Sequence, residues 1–249
     1  MERRKAEPGD LPRLVEITVI SMPDDVTYLY EWPLHSIYPG VMESIWEFRL
    51  KKLLSKCHVI VEDGNVIAFA VWTQESHFPA EQRDECPPED LAEKFKLVGS
   101  RTDVFEKASA WIRDKIKEAG IQKWFTIHLL VTDRPFRCRG AAAMLLEEFV
   151  KEAGRGYCLV EASRMGEPQY AKKGFKHVMD MPVKVKGEEK GTSVAVMWKQ
   201  PTAAEITVRW SPPPPSPPLP PPLAPPPEED LSFMQTLKES DGRKMGFLE

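Results

Sequence analysis

Cysteine and histidine are scarce in this chain of 249 residues, which has four cysteines and five histidines. The cysteines lie far apart, no C-x-x-C pair occurs, and no histidines cluster near them at the spacing of zinc ligands. We therefore expect no metal site. Few and scattered cysteines are also typical of a protein from a reducing compartment.

Long apolar runs are absent as well. No stretch approaches the 18 apolar residues that a membrane span needs. The first five residues, Met1 to Lys5, are followed by acids and Pro8 and not by the apolar core of a signal peptide. The sequence therefore predicts a soluble, cytoplasmic protein that does not interact with membranes.

An excess of basic charge is missing too. The net charge is -4 and the isoelectric point is near 5.9, and no basic run carries interleaved aromatic residues, so we expect no nucleic-acid partner. The chain also lacks G-x-G-x-x-G and G-K-[Ser/Thr]. Their absence disfavours a dinucleotide-binding enzyme and a P-loop enzyme.

Proline, in contrast, is abundant near one end. The segment from Ser211 to Pro227 holds half of the 24 prolines, and such a run favours extended polyproline II over helix or sheet. It predicts either a ligand for a proline-recognising module or a stiff spacer. Residues 228–249 are polar and are predicted to be disordered. We therefore divide the chain into a domain at 1–200 and a proline-rich disordered tail at 201–249.

The most informative pattern is a strand, a small-residue turn and a helix in succession. An apolar strand from Trp124 to Thr132 is followed by the basic turn Arg137 to Ala142 and by an amphipathic helix that ends at about Ala153. Such a turn brings free backbone N–H groups and the positive end of the helix together. This arrangement suits the pyrophosphate of a cofactor.

The same stretch resembles the GNAT N-acetyltransferase superfamily. Arg137 to Ala142 is similar to its acetyl-CoA motif [Gln/Arg]-x-x-Gly-x-[Gly/Ala], with alanine at the last position. Glu161 to Ser163, followed by Tyr170 and by Gly174-Phe175, resembles the next strand and helix of that superfamily. The likeness is clear over about residues 124–177.

The resemblance implies a GNAT-like acyl-CoA N-acyltransferase fold of the α/β class. That fold has a mixed, mostly antiparallel sheet of six or seven strands with helices on both faces. Two central strands, ending near Val131 and Val160, run parallel and splay apart to admit CoA. Elsewhere the residue pattern predicts a strand at 3–6, a helix capped by Asp10, a helix at 41–54, a hairpin of strands 58–62 and 66–72, a charged insertion at 73–104, a helix at about 105–119 and a last strand at 194–198.

The resemblance also implies which residues bind acetyl-CoA. The turn would give backbone N–H groups to the pyrophosphate, while the strand before it would give main-chain groups to the pantetheine arm. The residues of the turn are Arg137, Arg139, Gly140, Ala141 and Ala142, and those of the strand are Leu130 and Val131.

Acetyl transfer to an amine requires a base for the amine proton and an acid for the departing sulfur. His128 is the candidate base, because imidazole titrates near neutrality and because it resembles a strand histidine of aralkylamine acetyltransferases. The alternative is a histidine on the other face of the sheet. Tyr170 is the candidate acid, since the superfamily often places a tyrosine hydroxyl near the CoA sulfur. The alternative is a core tyrosine that packs on Phe175.

The sequence therefore predicts an acetyl-CoA-dependent N-acetyltransferase that transfers directly, in a ternary complex, to a small-molecule or peptide primary amine. Two other hypotheses remain open: an acetyl-cysteine mechanism at Cys138, and a non-catalytic module that recruits partners through the tail. Which amine is the acceptor does not follow from the sequence. Five acids of the variable region either attract a cationic amine or simply solvate helix faces: Asp24, Asp25, Glu31, Glu43 and Glu47.

Overall fold

The computed structural model describes residues 1–76 and 89–200. Its strands form one seven-stranded sheet in the order β1-β2-β3-β4-β5-β7-β6. The strands are β1 (Glu2–Lys5), β2 (Cys57–Glu62), β3 (Asn65–Ser76), β4 (Lys123–Thr132), β5 (Tyr157–Ala162), β6 (Lys176–Val183) and β7 (Thr192–Lys199). Within the described residues β4 and β5 alone run parallel, and all other neighbours are antiparallel. This is the mixed, mostly antiparallel sheet that the sequence predicts.

Helices connect these strands and cover the sheet. They are α1 (Leu11–Ser21), α2 (Val26–Glu31), α3 (Pro39–Leu53), α4 (Glu89–Leu97), α5 (Thr102–Glu118), α6 (Ala141–Ala153) and α7 (Glu167–Lys172). Proline occupies the first turn of three of them, through Pro12, Pro39 and Pro168. Its missing N–H costs nothing at this position, because the first N–H groups of a helix have no partner within it.

Alternating side chains of the strands build a core on each face of the sheet. In β3, Ala70 and Trp72 pack on the α6 side with Phe149, while Phe69 and Val71 pack on the other side under α1 and α3. This alternation is the period of two that a strand buried on both faces requires. A further core lies under α5, where its apolar residues meet β5, β6 and β7. Helices therefore cover both faces, as expected.

The predicted hairpin between β2 and β3 is confirmed, and its turn carries positive φ values of 50° at Asp63 and 78° at Gly64. Asp10 occupies the N-cap position of α1, as predicted, but its carboxylate makes no capping hydrogen bond to the helix among the described residues. A short 3-10 turn at 8–10 precedes α1, and the Asp10 carboxylate accepts from Glu7 N–H and from Arg4 instead. The sequence analysis assigned neither α2 nor β6.

The predicted insertion at 73–104 begins too early. β3 continues through Thr73 to Ser76 and pairs with β4 over these residues, and the described remainder of the segment contains α4 and the start of α5. The predicted tail at 201–249 lies outside the described residues. In the two described ranges, no helix combines the length and the apolar character that crossing a membrane requires.

Candidate active site

β4 and β5 lie side by side only at their beginnings. Residues 124–127 pair with 157–160, and within the described residues no pairing between the two strands follows. β4 nevertheless continues to Thr132. Its register with β3 shifts here, because Val71 lies opposite Leu129 and Trp72 opposite Ile127, which makes His128 the extra residue of a bulge. The predicted splay of the two parallel strands is confirmed.

A cavity of about 1680 Å³ occupies this gap and reaches both faces of the sheet. On the α6 side it is lined by residues 140–143 and by Tyr170. On the opposite side it is lined by His128 of β4, Phe105 of α5 and Glu161 of β5. The cavity thus connects the N-terminus of α6 with a chamber on the other face of the sheet, which we call the acceptor chamber.

The N-terminus of α6 presents unpaired backbone N–H groups to this cavity. Gly140 precedes the helix with φ 96° and ψ -6°, a left-handed conformation that glycine adopts without the strain of a side chain. The first helical bond runs from Met144 N–H to the Gly140 carbonyl, so the N–H groups of residues 141–143 come before it. Together with the positive end of the helix they make an arrangement that suits an anion.

The arginines of the turn hold it in place through their side chains. Arg137 donates to Asp24 Oδ2 at 2.6 Å and to the Ser21 carbonyl at 2.8 Å, and Arg139 forms an ion pair with Glu62 at 2.8 Å. The N–H of Arg137 donates within the turn, to the Arg134 carbonyl at 3.3 Å. Of the five predicted residues of the turn, Arg137, Gly140, Ala141 and Ala142 line the cavity.

Leu130 and Val131 both line the cavity from β4. Their main chain pairs with β3 on one edge, opposite Ala70 and Phe69 respectively. The other edge is the one from which β5 has separated. The side chains point to opposite faces, Leu130 toward the core under α6 and Val131 toward the core under α1 and α3. The main chain of β4 therefore borders the cavity where an extended ligand could lie beside it.

Tyr170 of α7 packs in the core and also borders the cavity. Its side chain is 5% exposed and packs edge-on against Phe175, with ring centroids 5.7 Å apart, yet it also lines the cavity. Gly166 allows this position, because a Cβ there would lie 3.2 Å from Tyr170 Cε2. Burial raises the pKa of Tyr170 above its ordinary value, so the hydroxyl keeps its proton at neutral pH.

His128 lies in the acceptor chamber within a chain of hydrogen bonds. Its Nε2 is 2.7 Å from Thr73 Oγ1, which donates its one proton to Glu75 Oε1 at 2.6 Å. Thr73 must therefore accept from Nε2, and the lone pair of the neutral ring is on Nδ1. Glu75 Oε1 is also 3.5 Å from Nε2, so the carboxylate lies beside the same ring nitrogen as Thr73. The sequence analysis missed Glu75 because it ended β3 before Thr73.

Two of the five predicted acids, Asp25 and Glu31, line the cavity. Asp25 accepts from Thr27 N–H at 2.8 Å and caps α2. Glu31 lies 3.9 Å from Arg49, and burial raises its pKa. The other three are engaged or directed elsewhere: Asp24 pairs with Arg134 and Arg137, and Glu43 and Glu47 are exposed on α3.

Glu75, Glu106 and Glu161 also line the cavity, although the sequence analysis did not single them out as site residues. The alternation of β5 contained a signal for Glu161, since Val160 and Ala162 on either side are buried under α6 and the residue between them must face the other way. No sequence pattern distinguishes Glu106 in the same way, because acidic residues are common on the exposed faces of helices.

Of the cysteines within the described residues, Cys57 and Cys158 are buried and Cys138 is exposed. Burial raises the pKa of both buried thiols to about 12, which leaves them protonated and poorly nucleophilic. Cys138 lines the cavity in the turn before α6, with a positive φ of 60°. It therefore lies at the α6 end of the cavity, while His128 lies in the acceptor chamber.

Neither models of protein families nor curated protein sequences match this chain. Solved structures do. A polyamine N-acetyltransferase of Drosophila melanogaster, which forms N-acetylagmatine, has a TM-score of 0.58 at 15% identity, over 80% of this chain and 99% of that chain. An acetyltransferase of Corynebacterium glutamicum has a TM-score of 0.56 at 16% identity, over 82% and 98%. Arylalkylamine N-acetyltransferase 2 of Aedes aegypti has a TM-score of 0.50 at 15% identity, over 80% and 98%.

These three similarities extend over nearly the full length of each neighbour and over most of the described part of this chain. At identities of 15% and 16% these similarities are evidence for the fold alone. In this chain the splayed parallel strands and the glycine turn before α6 are features that the sequence resemblance implies. The chain therefore has the fold of the GNAT N-acetyltransferases.

Proposed function

We propose that this protein is an acetyl-CoA-dependent N-acetyltransferase that transfers the acetyl group directly to a primary amine. The observation that carries the proposal is that one continuous cavity passes through the gap between β4 and β5. It links an anion site at the start of α6 with a histidine and several carboxylates on the opposite face. A donor that bears a pyrophosphate and an acceptor that bears an amine can thus enter from opposite sides of the sheet.

The chain offers groups that fit the donor. Backbone N–H groups at residues 140–143 suit a pyrophosphate without any basic side chain. The free edge of β4 at Leu130 and Val131 suits the amide groups of a pantetheine arm. Bound there, acetyl-CoA would supply the activated acetyl group. These residues then serve to place that group in the gap between β4 and β5.

The transfer forms an amide C–N bond and breaks a thioester C–S bond, so the amine must lose a proton and the sulfur must gain one. His128 would take the amine proton at Nδ1, directly or through water, and the hydrogen bonds of its Nε2 to Thr73 and of Thr73 to Glu75 support this role. Tyr170 would give a proton to the sulfur, and its position in the cavity lining on the α6 side of the gap supports that role. Two residues on opposite faces of the sheet thereby serve the two proton transfers.

The test is a thiol-release screen with acetyl-CoA and a panel of amines. Agmatine and arylalkylamines come first, because enzymes of similar fold are named for acting on them. We expect thiol release that depends on the amine, together with an acetylated amine of the expected mass. Calorimetry should also detect acetyl-CoA binding without any amine. A well-folded protein that binds no acetyl-CoA at millimolar concentration would disprove the proposal.

The same material tests the mechanism. Direct transfer leaves no acetyl group on the enzyme, so mass spectrometry after incubation with acetyl-CoA alone should find the unmodified chain. An acetylated peptide containing Cys138 that disappears when amine is added would instead establish the acetyl-cysteine mechanism.

A further inference from the structure

A carboxylate lies next to His128, across the gap at the point where the two parallel strands separate. The last pair between β4 and β5 is Ile127 with Val160, so His128 and Glu161 are the next residue on each strand. Ile127 and Val160 belong to the core under α6. Glu161 points into the acceptor chamber because side chains alternate along β5, and His128 points there because its ring contacts Thr73 on that face. Both residues line the cavity.

Few neighbouring groups compensate the negative charge of Glu161. Its Oε2 accepts from Ser109 Oγ of α5 at 2.6 Å, the one hydrogen bond to this carboxylate within the described residues. Arg113, one turn further along α5, favours the charged form through space but forms no ion pair within 4.0 Å of Glu161 among these residues. Burial raises the pKa of Glu161. A carboxylate in such a position gains most from a cation that comes into direct contact with it.

A second polar group points to a ligand at the same place. Thr126, two residues before His128 on the same face of β4, is 8% exposed and lines the cavity. Its Oγ1 is buried, and among the described residues it has no hydrogen-bond partner. Buried hydroxyl groups in proteins nearly always have a partner. A ligand with N–H donors would supply one to Thr126 and one to Glu161.

We infer that Glu161 and Thr126 bind the ammonium group of the acceptor before it is deprotonated. This inference rests on the proposed function and narrows it to primary alkylamines, which are protonated at neutral pH because their pKa is roughly 10. Glu75 and Glu106 line the same cavity, so the chamber as a whole favours a cation. Alcohols and neutral aromatic amines lack the charge that Glu161 would bind.

The decisive variant is Glu161→Gln, which keeps an acceptor for Ser109 but removes the charge. Loss of a charge-assisted hydrogen bond predicts a KM for the amine that is about tenfold to a hundredfold higher, with the KM for acetyl-CoA unchanged. Glu118→Gln is the matched control, since it removes a carboxylate from the same helix α5 outside the cavity and should leave the amine KM unchanged. An amine KM that Glu161→Gln does not change would overturn the inference.

Thr126→Val provides a second test should Glu161→Gln fail to fold, because valine nearly matches threonine in volume. It should raise the amine KM severalfold and leave acetyl-CoA binding unaltered by calorimetry; an unaltered amine KM would count against the inference. A diamine and a monoamine should be affected equally. An effect on the diamine alone would mean that Glu161 binds a remote charge and not the reacting nitrogen.

Binding without catalysis separates this inference from the proposed function. Saturation-transfer NMR with butylammonium, in the presence of CoA, should detect binding to the unmodified chain, weaker binding to Glu161→Gln, and none for butanol. If butylammonium binds in this way but no amine is acetylated, the proposed function fails and the ammonium site stands. If amines are acetylated and butylammonium binds both proteins equally, the ammonium site fails alone.

Discussion

The hydroxyl of Tyr170 is the group that best separates a catalytic from a structural role. Its ring fills a place against Phe175 that phenylalanine would fill equally well, so Tyr170→Phe removes the acid and keeps the packing. Because the thiolate is a tolerable leaving group, with a thiol pKa of roughly 8.5, we expect turnover to fall on the order of tenfold to a thousandfold. Single-turnover thiol release measures this chemical step.

Tyr157→Phe is the control, since Tyr157 stacks on Trp198 and does not line the cavity. This variant should keep full turnover. Full turnover in Tyr170→Phe as well would reduce Tyr170 to a packing residue and leave the sulfur to be protonated by water.

His128 and its support by Glu75 predict a change in pH dependence. A general base must hold a free lone pair, so the rate of the unmodified chain should rise with pH. His128→Gln removes that base, so turnover should fall about a hundredfold or more and the rise near neutral pH should vanish. Steady-state rates from pH 5.5 to 9 test this, and His177→Gln, an exposed histidine bonded to Asp180, is the matched control.

Glu75→Gln should have a smaller effect of the same kind. It weakens the hydrogen-bond chain that positions His128 through Thr73 by about one charge-assisted hydrogen bond, roughly 1.5 kcal/mol, which corresponds to about tenfold in rate. If the pH profile of His128→Gln matches that of the unmodified chain, His128 has no part in the proton transfer and Glu75→Gln should then leave the rate unchanged.

At the scale of elements, the turn before α6 is anchored to the segment between α1 and α2. Asp24, just before α2, binds both Arg134 and Arg137 of the turn, and these hydrogen bonds lower its pKa. Asp24→Asn should loosen the turn and raise the Kd for acetyl-CoA about twofold to fivefold, as expected for an exposed ion pair. Calorimetry measures this directly.

Asp103→Asn is the control for Asp24→Asn, because it removes an equal charge from the solvent face of α5. It should leave the Kd unchanged. Equal affinities of the two variants would show that the turn holds its shape without Asp24.

The lowered pKa of Asp24 also affects the stability of the fold in acid. The folded state favours the ionised form of Asp24, so its contribution to the free energy of unfolding is complete at pH values above the usual carboxyl range. This contribution is lost as the pH falls through the lowered pKa.

Elements with a local signal could be predicted from the sequence, and those set by distant contacts could not. The turn around Gly140 and the hairpin at Asp63 depend on their own residues, and both were identified. β6 is determined by its pairing with β7, and the last residues of β3 by their pairing with β4. A local sequence pattern does not reveal such partners. The missing end of β3 is also why Glu75 was overlooked.

The same division applies to the candidate site. His128 and Tyr170 were singled out from motifs, and each lies in the cavity. The sequence did not predict which residues line each side of the cavity, because that depends on the face of the sheet to which each side chain points. The bulge at His128 reverses that side for the residues after it, so counting alternate positions from Trp124 would assign Leu129 and Val131 to the wrong face.

At the scale of the whole molecule, every residue that lines the cavity within the described ranges comes from residues 21–194, and β7 completes the sheet at Lys199. A protein truncated after Gln200 should therefore bind acetyl-CoA and release thiol at the rate of the full chain, with its melting temperature unchanged within about 2 °C. Both proteins should be assayed at matched concentration and at two ionic strengths. A truncated protein that binds acetyl-CoA equally but acetylates slowly would give residues 201–249 a part in admitting the amine. Slow acetylation together with weak acetyl-CoA binding and a lower melting temperature would instead mean that the domain boundary lies beyond Gln200.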